Sequence, residues 1–399
     1  MTTKLPLIVM GVNQTLVIAL LPQLGSHFSL SQDVQDWGWL IGLLNVNLVA
    51  YWIASGWWGN KINEIGVSRA KFIATFGLTL STLCFALAFY LPTLASIIVI
   101  GLSRLVTGCF TAAFIPIAQS EIASKGEYRI GLLSRQSSYI TLGRFASPLL
   151  IFLPIPFHFI LLIPSAISLV SLLFLVRETQ PFSFLPPLAA KVNLFHGLSN
   201  LPPCGLLLAL STTALVTCTQ LIILPFIIKM GYSPEHSSQI YAQLMLFISV
   251  IIIISQRWIL PYASSVAALR KAYLYILLLL LHLGAGLLSL HFNHWVAFAP
   301  ALACIAIGIT GIPAWYTHQL FDKRSPKLSQ SQVSGGVAQA HSLGHILGTM
   351  LSAGILLVTI EPQLLLWPIT VLITFCAYLL SQLPDLSANK NTPTPRTEV

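Results

Sequence analysis

Charge is what this chain has least of: only 8% of its 399 residues are Asp, Glu, Lys or Arg, against 56% hydrophobic. Soluble globular chains carry about 25% charged residues, so there is too little polar surface here to coat a water-soluble fold, and lipid has to stand in for water. Carboxylates are scarcer than cations, 11 against 20, and none sits in the middle of an apolar run; Glu121 comes closest. The six cysteines lie singly within or beside apolar runs, which excludes a thiolate metal site and implies no disulfide. The basic excess lacks the aromatic-interleaved soluble patch that nucleic-acid binding needs. No paired Asp/His stands at a loop mouth and no lipase-type serine elbow occurs, so a polytopic membrane enzyme is only a distant alternative. Nothing calls for a cofactor or a metal, and no soluble domain fits between the apolar runs.

Long apolar runs are what the chain has instead. A helix needs about 20 apolar residues to cross a hydrocarbon core of roughly 30 Å, and twelve stretches qualify: 5–25, 37–59, 70–91, 94–122, 130–153, 157–177, 203–229, 237–259, 270–291, 294–320, 331–359 and 362–383. Runs such as Ile248 to Ile254 and Leu277 to Leu281 do not alternate in polarity, which excludes membrane strands. The first run has no small-residue cleavage site after it and reads as a retained helix. The expected fold class is therefore all-α integral membrane, with twelve transmembrane helices in two six-helix bundles. The longest break, Glu178 to Pro203, is rich in proline. It divides the chain into a bundle over 1–179, a central linker over 180–203 and a second bundle over 204–383, followed by a disordered tail over 384–399.

With the N-terminus placed in the cytoplasm and the spans alternating thereafter, every basic residue except Lys229, Arg104 and Arg144 falls on the cytoplasmic side. Loop basicity sets orientation in this direction, and the surplus charge then needs no acidic partner beyond anionic lipid.

After helix 2 come Gly56-Trp57-Trp58-Gly59-Asn60-Lys61, then Gly66 and Arg69; helix 4 holds Arg104-Leu105-Val106-Thr107-Gly108; Glu127, Arg129 and Gly131 follow; helix 5 has Gly143 and Ser147-Pro148; Arg177-Glu178-Thr179 closes helix 6. In this order the residues resemble signatures of the major facilitator superfamily, and specifically its bacterial drug:proton antiporters. Asn60 stands where that family usually has aspartate, and Ile151 and Phe152 replace the glycines expected in helix 5. The second half is similar in helix number and loop charge but carries no copy of the helix 2 signature around Arg257 to Lys271. The resemblance implies a transporter that works by alternating access, with Gly56, Asn60, Lys61, Gly66, Arg69, Gly108, Gly143 and Pro148 as its conformational motifs.

An arginine at bilayer depth costs at least ~2.5–3.5 kcal/mol and must face a partner or water. Arg104 and Arg144 are such residues; each either contacts substrate or holds helices together. On helix 11, Ala338, His341, Ser342, His345, Gly348, Thr349 and Ser352 form one polar stripe at helical spacing. His341 and His345, one turn apart, either bond neighbouring helices or titrate. Asn13 and Gln14 on helix 1, Tyr139 on helix 5 and Gln220 on helix 7 complete the candidate substrate-binding set with Arg104, Arg144, His341 and His345. Proton coupling falls to His341, His345 and Glu121.

A cavity with two arginines, two histidines and no carboxylate has positive potential and favours anions over cationic drugs. Moving an anion out of a negative interior gains about 2.3 kcal/mol per 100 mV, and so does each entering proton. The expected function is proton-coupled export of a small organic anion, such as a carboxylate metabolite or siderophore. A proton-driven multidrug pump is the alternative. The expected partners are the small-molecule substrate, protons and the lipid bilayer, with no nucleic acid, in a monomer of the bacterial inner membrane. Both termini should be cytoplasmic, so reporter domains fused to either end should be active only if they fold inside; an externally active fusion at either end would reject this topology.

Overall fold

The computed structural model describes all residues except 1–2, 30–33, 125–129, 152, 154, 179–194, 230–233, 291–295, 297, 324–327, 358–365 and 385–399. The expected central linker falls largely, and the expected tail almost entirely, outside the described residues, as do Glu127 and Arg129. In the first half the helices are α1 (Lys4–Ala19), α2 (Leu21–His27), α3 (Val34–Ile65), α4 (Val67–Leu87), α5 (Thr93–Thr111), α6 (Phe114–Ser124), α7 (Ile130–Ile151) and α8 (Phe157–Glu178). A short α9 (His196–Ser199) precedes α10 (Pro203–Lys229), α11 (Pro234–Ile254), α12 (Leu260–Ser265), α13 (Ala267–Leu288), α14 (Phe298–Asp322), α15 (Gln330–Leu357) and α16 (Leu366–Gln382).

Every expected span coincides with helix, but three are interrupted, and proline explains each. Pro22 and Pro116 have no N–H for the carbonyls of Ile18 and Ala112, so the first span breaks into α1 and α2 and the fourth into α5 and α6. Pro261 likewise cannot bond Arg257, and the preceding turn, Ser255–Ile259, is a π-helix joining α11 to α12. The segment expected to be a loop after helix 2 is helical up to Ile65. The reversal into α4 takes the single residue Gly66, at φ +80°, a conformation that favours glycine.

Both halves pack the same way. α1 lies against α7 as α10 lies against α15; α3 packs on α5 as α11 does on α14; α4 packs on α8 as α13 does on α16. The halves meet where α3 lies on α15 and where α7 lies on α11, the π turn and α12. Among the described residues, six helical stretches are long and apolar enough to cross a membrane on composition alone, and Lys4–Ile18, Ala272–Leu288 and Leu366–Gln382 are shorter apolar helices. Helices α3, α7 and α15 form most of the seam between the halves.

Glycine lets the paired backbones touch. A Cβ on Gly143 would stand 2.0 Å from the Ile8 carbonyl oxygen, and one on Gly11 2.0 Å from that of Ile140. Ser147 Oγ donates to the Val12 carbonyl at 3.0 Å along the same contact. Gly344 and Gly348 serve the α10–α15 contact alike, against Leu210 and Ala214. Gly143→Ala therefore has no room without separating α1 from α7, and should cost about 1–3 kcal/mol, read as a lower melting temperature of the detergent-purified protein; an unchanged melting curve would contradict this packing.

Candidate functional site: a polar seam between two helical halves

Arg104 is 3% exposed. From α5 its Nε donates to the Leu44 carbonyl at 2.7 Å, Nη2 to Asn47 Oδ1 at 3.0 Å and Nη1 to Asn13 Oδ1 at 3.4 Å, with the Phe85 ring 5.6 Å from the guanidinium. Gly108, one turn on, lets α5 touch α3: a Cβ there would lie 2.2 Å from the Asn47 oxygen. Arg104 and Asn13 thus tie α1, α3 and α5 together inside the first half.

Arg144 is placed differently. It is only partly buried, and Nη2 donates to Gln14 Oε1 on α1 at 2.9 Å. Across the seam, His345 Nδ1 bonds Thr217 Oγ1 on α10 at 2.7 Å. The two halves repeat one construction here: a polar group on α1 or α10 holds a cationic or titratable group on α7 or α15. His341 and His345 stand one turn apart on α15, in the half opposite Arg144. His341 Nε2 bonds the hydroxyl of Tyr316, a fully buried residue of α14.

The tautomer of His345 is linked to the Thr217 hydroxyl: with its one proton on the Thr213 carbonyl, 3.1 Å away, His345 Nδ1 is the donor in the 2.7 Å bond. Nε2 of His345 then carries a lone pair available to a proton. Gln220 lies on α10 one turn beyond Thr217, partly buried.

Glu121, Tyr139, Asn60 and Lys61 lie at one end of the bundle, the basic end, where Lys4, Lys71, Arg257 and Lys323 are found. Glu121 accepts from Thr3 Oγ1 at 2.7 Å and pairs with Lys71, joining α6 to α4 and to the chain just before α1. Tyr139 faces Lys4 and Arg257. Asn60 sits in the seal between the halves: its Oδ1 accepts from Gln332 Nε2 at 2.9 Å and its Nδ2 donates to the Gly56 carbonyl at 3.0 Å. Lys61 pairs with Glu64 on its own helix, at 2.7 Å. Pro148 is buried within α7.

The seal has a composition that sequence reasoning missed. Asn63 Nδ2 donates to Ser329 Oγ at 2.8 Å, and Ser331 Oγ donates to Asn63 Oδ1 at 2.7 Å. Ser329 and Gln332 form a capping box at the start of α15, with the Gln332 N–H on Ser329 Oγ at 3.2 Å and the Ser329 N–H on Gln332 Oε1 at 2.9 Å. A Cβ on Gly59 would lie 2.9 Å from the Ser331 oxygen, and one on Gly335 2.7 Å from the Ser55 oxygen. On the other seam, Thr141 Oγ1 donates to Gln256 Oε1 at 2.9 Å and Ser134 Oγ to the Gln256 carbonyl at 3.1 Å. Polar bonds joining the halves run from the basic end up to Ser342 Oγ, which donates to the Leu48 carbonyl at 2.7 Å. The Ser-x-x-Gln spacing at 329–332 was the available signal; Gln256 had none.

The chain matches the sequence model of the Major Facilitator Superfamily over residues 7–388. No curated protein matches it. Among solved structures, the proton:xylose symporter XylE bound to 6-bromo-6-deoxy-D-glucose is similar at TM-score 0.72 and 13% identity, covering 96% of this chain and 95% of that one. The human organic anion transporter MFSD10 (TETRAN) superposes at TM-score 0.66 and 18% identity over 95% of this chain and 98% of its own. A bacterial homologue of the iron transporter ferroportin in the outward-facing state follows at 0.65 and 13%, over 95% and 98%.

Asn60→Asp would keep the acceptor for Gln332 and add a negative charge beside the positive end of α15, worth about 0.3–1 kcal/mol for the sealed arrangement. Cysteine pairs across the basic end should then exchange between accessible and inaccessible more slowly than in the parent. Unchanged accessibility kinetics would show that the neutral amide already suffices.

Proposed function

The chain belongs to the Major Facilitator Superfamily, and from that premise we propose that it is a secondary transporter that exports a small organic anion in exchange for protons. The matching placement of Arg144 and His345 carries the reading: one group from each half, each held by a neutral partner on the adjoining helix. Alternating access works by rocking two halves about a site between them, and a ligand that touches both groups feels that movement directly.

The chemistry divides between the two. Arginine stays protonated throughout the physiological range and offers a planar fork to a carboxylate or similar anion. Histidine titrates there, and the Nε2 lone pair of His345 is the atom that would take the proton. When it does, the site gains a second positive charge and holds an anion more tightly; when the proton leaves, the anion is released more easily. His341 is coupled to the same event through its charge and its bond to Tyr316. Arg104, with donors already engaged inside the first half, serves the site by fixing α1, which presents Gln14. Glu121, paired with Lys71 at the basic end, acts as a tie between helices and not as a proton carrier at mid-depth.

Carboxylate metabolites and siderophores fit this charge pattern, and a cationic drug does not. The likeness in fold to a human organic anion transporter is compatible with it. The working unit would be a monomer in a bacterial inner membrane, with bundles over 1–179 and 204–383, the 180–203 linker and both termini in the cytoplasm, and the seal at the basic end closing the cytoplasmic side.

Untargeted mass spectrometry of medium and cytosol from a deletion strain should reveal an organic anion retained inside. With that anion and reconstituted protein, Arg144→Gln should weaken binding by roughly 10- to 100-fold, the worth of one charged hydrogen bond. The His341→Gln, His345→Gln double variant should bind but lose the pH dependence of flux across about pH 5.5–8. Unchanged affinity without Arg144, or parental pH dependence without the histidines, would refute the respective role.

A further inference from the structure

Two cations at the basic end, one from each half, converge on Tyr139, and a third, Arg135, stands one turn away on α7. Lys4 Nζ of α1 lies 5.4 Å from the centre of the Tyr139 ring, and the Arg257 guanidinium of the π turn lies 5.7 Å from the same centre, with Nη1 donating to the Tyr139 hydroxyl at 3.3 Å. Arg135 is exposed one turn earlier on α7, on the Tyr139 side of that helix. The carboxylates described at this end are committed elsewhere: Glu64 to Lys61, Glu121 to Lys71 and Asp322 to His318. Lys4 and Arg135 come from the first half and Arg257 from the second, so mutual repulsion works against the seam that Gln256 closes.

The surroundings say what relieves it. Along α7 the same face continues as Leu142 and Leu149, 41% and 44% exposed, spaced seven residues apart from Arg135. Trp258 and Tyr262, 61% and 66% exposed, flank Arg257. A cationic pocket at headgroup level, an apolar lane leading from it towards mid-bilayer, and aromatic rings at its rim match the three parts of an anionic phospholipid. Free phosphate would use only the first.

We propose that Lys4, Arg135 and Arg257, arranged around Tyr139, bind the phosphate of an anionic phospholipid headgroup that bridges the two halves and holds the basic end shut. The lipid phosphate accepts from the two arginines and the lysine, and its acyl chain lies over Leu142 and Leu149. Bilayer composition would thereby regulate the transporter through a site apart from the substrate seam, whatever the substrate is.

The test places the full-length protein in nanodiscs of phosphatidylcholine with or without phosphatidylglycerol. Native mass spectrometry reads the retained lipid, and paired spin labels across the basic end read the distance between halves. The parent should retain phosphatidylglycerol in preference to phosphatidylcholine and show a larger sealed population when it is present. Retention should fall roughly fivefold for each cation removed in Lys4→Gln and Arg257→Gln, while Arg257→Lys, which keeps the charge, should retain it. Melting in phosphatidylcholine alone shows whether each variant is folded, and Arg135→Gln, on an exposed side chain, provides a second route to the same loss. Equal retention of the two lipids, equal retention by parent and Gln variants, or a spin-label distance indifferent to phosphatidylglycerol would overturn the proposal. So would displacement of the lipid by inorganic phosphate, which would mark a free-anion site.

Discussion

A polar group inside a bilayer needs partners in protein or in a water-filled cavity, and Arg104, 3% exposed, is enclosed by protein. The carbonyl of Leu44 and the side-chain oxygens of Asn47 and Asn13 meet that need, on two helices remote in sequence. Satisfying it pulls α3 and α1 onto α5, which is possible only because Gly108 admits the backbone of Asn47. The placement of α1 then decides where Gln14 points, and Gln14 is what Arg144 bonds. A structural arginine thus sets up the arginine at the seam.

The same constraint has to be met more loosely between the halves, because a transporter must break those contacts in every cycle. The interface uses amides, hydroxyls and glycines: Asn60 with Gln332, Asn63 with two serines, Gln256 with Thr141 and Ser134. Neutral hydrogen bonds contribute about 0.5–1.5 kcal/mol each net, whereas separating a buried ion pair leaves stranded charges costing about 3–5 kcal/mol. A neutral seal can therefore hold firmly in sum and still open in steps. The π turn adds to this, since the Gln256 carbonyl is served by Ser134 from the opposite half. Ion pairs such as Lys61 with Glu64 and Lys71 with Glu121 remain within the first half, where nothing has to separate.

Sequence alone located the apolar spans that the structure shows as helix, because lipid demands about 20 apolar residues per crossing and leaves little freedom in meeting that demand. It also marked the residues that lipid cannot explain, Arg104, Arg144 and the His341/His345 stripe, and gave every polar helix a suspicious face. It could not sort them. Arg104 and Arg144 look alike in one dimension, yet one is enclosed by α1 and α3 and the other stands at the seam, and the difference comes from partners 57 to 130 positions away. Gln256 and Gln332 looked like ordinary polar residues at helix ends; only the approach of the opposite half makes them part of a seal. Tertiary structure decided these roles because a hydrogen bond in a low-dielectric interior depends on distances of a few tenths of an ångström between helices that local sequence does not bring together.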